Sequence, residues 1–220
     1  MSIVKEGNAT RYSVKCTETE PNSPLKCKTY CFLGSSVTFG YASKRESMVD
    51  FIAKRNGCNC IKEAVSGTTL ADLKRNSYVR RLKKLDSSLK LDGFICQLST
   101  NDVRLKNKGV VSEGYALEKF DTQTTYGAIE YIIAYAKKTW NCPIYFYTNA
   151  YYPNEGYREM VDTMAAIAKK WDIVLIDLFR DEAFNAISEE QRKLFMKDDV
   201  HPTRAGYRYW WTPKFEEYLK

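Results

Sequence analysis

Five short apolar runs, rich in β-branched and aromatic residues, alternate with stretches of helical period from residue 28 onward. The runs are "TYCFLG" (29–34), "NCIKEAV" (59–65), "GFICQL" (93–98), "PIYFYTN" (143–149) and "DIVLIDL" (172–178). Strands alternating with helices predict parallel pairing, because a parallel neighbour is reached only through a crossover and the crossover helix covers the sheet face. Tyr157, Val161, Met164, Ala168 and Trp171 recur at helical spacing, as do Ile129, Ile132, Ile133, Ala136 and Trp140, and on a shorter stretch Met48, Phe51 and Ile52. Each set forms one apolar helix face that packs on the sheet. Leu70, Leu73, Tyr78, Leu82 and Leu85 predict a further helix, and a last one is expected from about Arg204 toward Leu219, kinked or interrupted at Pro213 by the missing backbone donor. Right-handed crossovers and short connections make a doubly wound, mainly parallel five-stranded α/β sheet the expected architecture.

With 44 % hydrophobic residues the chain has enough apolar surface for one buried core. Residues 1–27, polar and carrying Pro21 and Pro24, read as an N-terminal arm open to a hairpin, and residues 28–220 as the domain that bears the chemistry. "IVLIDLF" is broken by Asp177 and far shorter than the roughly 20 residues of a membrane span, and the first residues lack the apolar core of an export signal. A cytoplasmic protein without a membrane partner is therefore expected. Seven cysteines, at 16, 27, 31, 58, 60, 96 and 142, are an odd number in a chain too large to need staples, so reduced thiols are expected. "CKTYC" and "CNC" lack the usual zinc spacing and no metal is expected. The net charge of +7 steers acidic ligands but is spread out, and the densest cluster, "VRRLKK", reads as a solvated helix face, so no nucleic-acid partner is expected.

In an open α/β sheet ligands bind beyond the carboxyl ends of the strands. The first strand runs into "LGSSVTFG", the second into "SGTT", the third into "STND", and the fifth is followed by "DDVH". Each supplies a residue type suited to acyl transfer. A serine hydroxyl such as that of Ser36 attacks a carbonyl only if a base takes its proton, and His201 is the sole histidine. A carboxylate must hold the imidazole in one tautomer, and Asp198 or Asp199 offers it. The backbone amides of Ser36 and Gly67 and the side-chain amide of Asn101 are candidate donors to an oxyanion.

Together these blocks resemble the SGNH hydrolases, or GDSL-type lipases and esterases, over residues 32–206. "FLGSSVTFG" is similar to the nucleophile block, "SG" at 66–67 to the glycine block, "STND" to the G-x-N-D block and "DDVHPT" to the D-x-x-H block. The resemblance implies a flavodoxin-like three-layer sandwich and a serine esterase or acylhydrolase that needs no cofactor. It also implies Ser36 as nucleophile, His201 as base, Asp198 as its partner, and Ser36, Gly67 and Asn101 as the oxyanion hole. Ser35 stands where the family has aspartate and Ser99 where it has glycine, so the hydrogen bonds of the serine loop must differ here.

Taken singly, Ser36 reads as a turn serine, Asn101–Asp102 as an Asx turn and His201 as a residue before a helix capped by Thr203. Two rival functions are a flavodoxin-like nucleotide-binding protein, with "SSVTFG" cradling a phosphate, and a non-catalytic carbohydrate-binding relative of the esterases. The expected substrate is a small ester, with acetylated carbohydrate favoured by the tyrosine-rich loops and by the lack of a long apolar segment. "NAYY" (149–152) and "YRYWW" (207–211) are candidate acceptor-pocket aromatics that also suit core packing, and Arg104 is a candidate contact for an acidic group.

Overall fold

Each of the five apolar runs forms a strand in the computed structural model, which describes residues 6–219. They are β1 (Thr29–Gly34), β2 (Asn59–Ala64), β3 (Gly93–Gln97), β4 (Ile144–Tyr147) and β5 (Val174–Ile176). All pair in parallel, in the order β2-β1-β3-β4-β5. In β1, Phe32 lies opposite Lys62 of β2 on one side and Ile95 of β3 on the other. The inner strands β3 and β4 are buried throughout, as parallel strands covered on both faces must be, whereas the edge strand β2 carries half-buried Lys62 and Glu63.

Alternation along the strands divides the core into two layers. Cys31, Leu33, Phe94, Cys96 and Phe146 face the helices Tyr78–Leu82, Thr125–Trp140 and Glu155–Trp171. Tyr30, Phe32, Ile95, Tyr145 and Tyr147 face the helix Met48–Asn56 and the C-terminal helical segment. The chain winds outward from β1 to β2 and, after crossing back, outward again from β3 to β5. The loops leaving β1 and β3 thus adjoin at the point where the winding reverses, which is where an open α/β sheet forms its ligand crevice.

The structure departs from the expected elements at four places. Leu70 and Leu73 are not helical: the carboxylate of Asp102 accepts the Leu70 and Ala71 N–H groups at 2.9 and 3.2 Å, holding the segment as a turn until the helix begins at Tyr78. Pro213 does not interrupt the last helix. A π turn over Tyr207–Trp211, with the Thr212 N–H bonded to the Tyr207 carbonyl, joins Arg204–Gly206 to Thr212–Glu216, and Pro213 sits in the first turn of that final piece, where no donor is needed. The N-terminal arm forms 3-10 turns at Thr10–Tyr12 and Val14–Cys16 rather than a hairpin, its first five residues lying outside those described. In "VRRLKK", Arg81 is not solvated; it is only 5 % exposed. The seven cysteines carry free thiols, and among the described residues no helix is long and apolar enough to cross a membrane.

Candidate active site

Ser36 opens a single helical turn, Ser36–Phe39, directly beyond the carboxyl end of β1. Its Oγ lies 2.8 Å from His201 Nε2, and His201 Nδ1 lies 2.9 and 3.0 Å from the two carboxylate oxygens of Asp198. The serine is 8 % exposed and the imidazole 20 %, so the group meets solvent on one side. Asp199, the other candidate partner, is exposed.

Local geometry brings Asp198 to the ring. Its Oδ1 also accepts the backbone N–H groups of Val200 and His201 at 2.9 and 2.8 Å, so a turn of four residues places carboxylate and imidazole side by side. An antiparallel bridge between Met196 and Pro202, with Lys197 N–H bonded to His201 O, closes the base of that turn. Partial burial raises the Asp198 carboxyl, but the hydrogen bonds from the His201 ring and from the Val200 and His201 amides outweigh it and hold the group at about 2. It is ionised across the neutral range and accepts the Nδ1 proton, which leaves Nε2 as the acceptor for the Ser36 hydroxyl.

Asn101 is tied to the residue that follows Gly67. Asn101 Nδ2 donates to Thr68 O at 2.9 Å, leaving its second amide hydrogen available, and Ser99 Oγ donates to the same oxygen at 3.2 Å. Ser99 Oγ also accepts the Asn101 N–H at 3.1 Å, a local tie that a glycine at 99 cannot make. Gly67 has a φ of +76°, a left-handed conformation that disfavours any side chain, and a Cβ there would meet no protein atom within 4 Å. The residue therefore borders open space, and the constraint on it is backbone conformation rather than a neighbouring protein group.

Several residues that sequence reasoning missed hold these loops. The Arg81 guanidinium donates to Gly34 O at 2.8 Å, to Glu63 O at 2.8 Å and to Thr68 Oγ1 at 3.2 Å, tying the end of β1 to β2 and to the glycine loop. Its signal was present: position 81 shares a helix face with Tyr78, Leu82 and Leu85. Gln97 answers for Ser35. Its Oε1 accepts the Ser35 N–H at 2.8 Å, Thr38 Oγ1 at 2.9 Å and the weaker Ser35 and Tyr78 hydroxyls at 3.3 and 3.4 Å. Thr38 Oγ1 is in turn 2.6 Å from Tyr147 OH, so neutral hydrogen bonds hold the loop without a carboxylate at 35. Tyr41, 54 % exposed, has its ring centroid 5.2 Å from that of His201. The expected aromatic clusters serve mainly as core: Tyr152, Tyr207, Trp210 and Trp211 are buried, Tyr151 and Tyr209 exposed. Arg104 is exposed on the turn after Asn101. A cleft of about 620 Å³ between Tyr151, Arg158, Phe179 and Arg180 does not include Ser36 or His201.

Burial pushes the Asp102 carboxyl up to about 6, against the opposing hydrogen bonds from Leu70, Ala71, Ser99 and Thr125. A carboxyl raised from 3.8 in the folded state adds stability that is fully present below 3.8 and is lost as the pH climbs through about 6. Asp102→Asn, which does not titrate, is therefore expected to lose less thermal stability between pH 4 and 7 than the parent. Melting midpoints across that range test it, and parallel curves would remove the raised carboxyl from the account.

The GDSL-like lipase/acylhydrolase family model matches residues 32–209. Among solved structures, a Lactobacillus plantarum protein is 18 % identical over 89 % of this chain and 97 % of its own, with a TM-score of 0.70. A Bacteroides ovatus protein described as a GDSL-like lipase is 20 % identical over 88 % of this chain and 98 % of its own, with a TM-score of 0.63. A family two carbohydrate esterase from Clostridium thermocellum, solved in complex with cellohexaose, is 13 % identical over 91 % of this chain and 66 % of its own, with a TM-score of 0.58. At such identities these likenesses speak to the fold alone. No curated protein sequence matches the chain.

Proposed function

The chain belongs to the GDSL-like lipase/acylhydrolase family, and from that membership we propose that it is a serine esterase forming an acyl-enzyme on Ser36, with residues 28–220 as the catalytic domain and 1–27 as an N-terminal arm. The observation that carries the reading is the unbroken relay from Ser36 Oγ to His201 Nε2 and from His201 Nδ1 to Asp198. His201 Nε2 takes the hydroxyl proton as Ser36 Oγ attacks the ester carbonyl, and ionised Asp198 stabilises the imidazolium that forms. The negative charge that develops on the carbonyl oxygen is met by the N–H groups of Ser36 and Gly67 and by the Asn101 amide. The imidazolium then gives its proton to the leaving alcohol. A water, deprotonated by the same imidazole, attacks the acyl-enzyme to release the acid and restore Ser36.

Tyr41 beside the imidazole and exposed Tyr151 on the loop after β4 suit stacking on a sugar face, and the fold shared with a carbohydrate esterase supports the same direction. We take the substrate to be an O-acetylated carbohydrate. The nucleotide-cradle reading gives no role to a serine hydroxyl bonded to an imidazole, and serine-dependent turnover would exclude the non-catalytic reading.

The test is intact-mass analysis after treatment with a fluorophosphonate, followed by peptide mapping. A single adduct on Ser36 that is lost in His201→Ala is expected, since only an activated serine reacts quickly. A well-folded protein that takes no adduct would sink the proposal. On a panel of esters, acetyl groups on oligosaccharides should turn over faster than long acyl chains; the reverse order would overturn the substrate assignment.

A further inference from the structure

Two loops that approach each other at the site are joined by a side chain from neither. Asn8, in the N-terminal arm, accepts the Arg204 N–H on its Oδ1 at 3.1 Å and donates from its Nδ2 to Ala42 O at 2.8 Å. Arg204 follows His201 by three residues and begins the helix that Thr203 caps. Ala42 follows Tyr41, whose N–H bonds to the Ser36 carbonyl at 3.0 Å and whose ring lies against His201. One planar amide thus spans the nucleophile loop and the histidine loop, with its acceptor on one and its donor on the other.

Three further contacts run in parallel. Arg204 Nη1 donates to Asn8 O at 3.4 Å, and Nη2 pairs with Glu46 Oε1 at 2.8 Å. Glu46 Oε2 accepts the N–H of Val14, again from the arm, at 3.0 Å. Gly7 is pressed so closely against the chain leading to the histidine turn that a Cβ would come within 2.1 Å of Leu194 O and 2.7 Å of Thr203 Oγ1. The arm therefore sits in a fitted seat between the two loops.

We propose that the N-terminal arm is a clamp that sets the separation of the two halves of the site, with Asn8 as its principal positioning residue. The inference rests on Ser36 and His201 acting together, as proposed above. Their hydrogen bond joins elements 165 residues apart in sequence, a single helical turn at Ser36 and a turn closed by the Met196–Pro202 bridge at His201. The relay depends on its geometry, and a shift near 1 Å in such an arrangement costs on the order of 100-fold in rate. Asparagine suits the task because one short amide presents a donor and an acceptor; leucine keeps the shape and loses both, aspartate keeps only the acceptor.

The experiment compares parent, Asn8→Leu and Asn8→Asp by hydrogen exchange of residues 36–46 and 196–204, alongside acetyl-ester kinetics and the rate of fluorophosphonate labelling. In Asn8→Leu both segments should exchange faster, and kcat and labelling should fall roughly 10- to 100-fold with KM within about twofold, as expected for lost alignment rather than lost binding. Asn8→Asp keeps the acceptor for Arg204, so 196–204 should stay at the parental rate while 36–46 loosens; this variant decides the matter if Asn8→Leu does not fold. Parental exchange in both segments, or parental kcat in folded Asn8→Leu, would overturn the clamp. A parent that is never labelled on Ser36 strikes the catalytic reading, and the exchange comparison still decides the clamp by the same criterion.

Discussion

Ser36→Ala is expected to lower acetyl-ester kcat by about 10⁴- to 10⁶-fold, and His201→Ala by a similar factor, with the fold intact in both. The magnitude follows from the relay: without the hydroxyl no acyl-enzyme forms, and without the imidazole the hydroxyl remains a weak nucleophile. The double variant should be no worse than either single one, because the two groups act as a unit and the residual rate comes from the oxyanion donors and binding. Stability should change little, since Ser36→Ala removes one hydroxyl at the edge of the site and leaves the backbone in place. Asp198→Asn should also be severely impaired, through the wrong imidazole tautomer, while Asp199→Asn, whose carboxylate faces solvent, should stay near the parent. Initial rates over a range of substrate, with melting curves for each variant, provide the check. Near-parental kcat in Ser36→Ala or His201→Ala would end the serine-esterase reading.

Asn101→Ala is expected to lower kcat by about 100- to 1000-fold while leaving KM nearly unchanged, the pattern for a donor that engages charge present only in the transition state. The variant also loses the 2.9 Å bond to Thr68 O. That carbonyl keeps Ser99 Oγ as a donor, and the glycine loop keeps its ties through Arg81 to Thr68 Oγ1 and through Asp102 to Leu70 and Ala71. The loss should therefore appear in rate and not in fold. Asn101→Asp, which replaces the donor with an acceptor, should be at least as slow. A fall of less than tenfold in Asn101→Ala with unchanged structure would remove this side chain from the oxyanion site.

Much of the architecture is legible along the chain because its causes are local or collective. Strands β1, β3 and β4 are buried on both faces, so each must be an apolar run, and the helices between them bury one face, so each must show a period near 3.6. The grouping of Asp198 with His201 is local in the same way, since one carboxylate oxygen accepts both the amide and the ring of a residue three positions on. Periodicity failed where a distant group overrode it: Asp102 took the amides of Leu70 and Ala71 and prevented a helix. The interruption expected at Pro213 is absent for a different reason: a π turn leads into the final helical piece, and the proline falls in the first turn of that piece.

The order of residue types thus determined by itself a parallel α/β sheet and the strand-end loops that carry Ser36, Gly67, Asn101 and His201, because hydrophobic period acts within a few residues. It left Asp198 and Asp199 both open as partner of the imidazole, since the direction of one carboxylate does not follow from that period. Only the tertiary structure decided what holds those loops in register. Arg81 reaches Gly34 across 47 residues, Gln97 takes the place of a carboxylate beside Ser35 across 62, and Asn8 joins Arg204 across 196. Such contacts leave little periodic signature, since a single buried polar side chain finds its partners by where the folded chain brings their donors and acceptors, and that is set by the packing of the whole sheet.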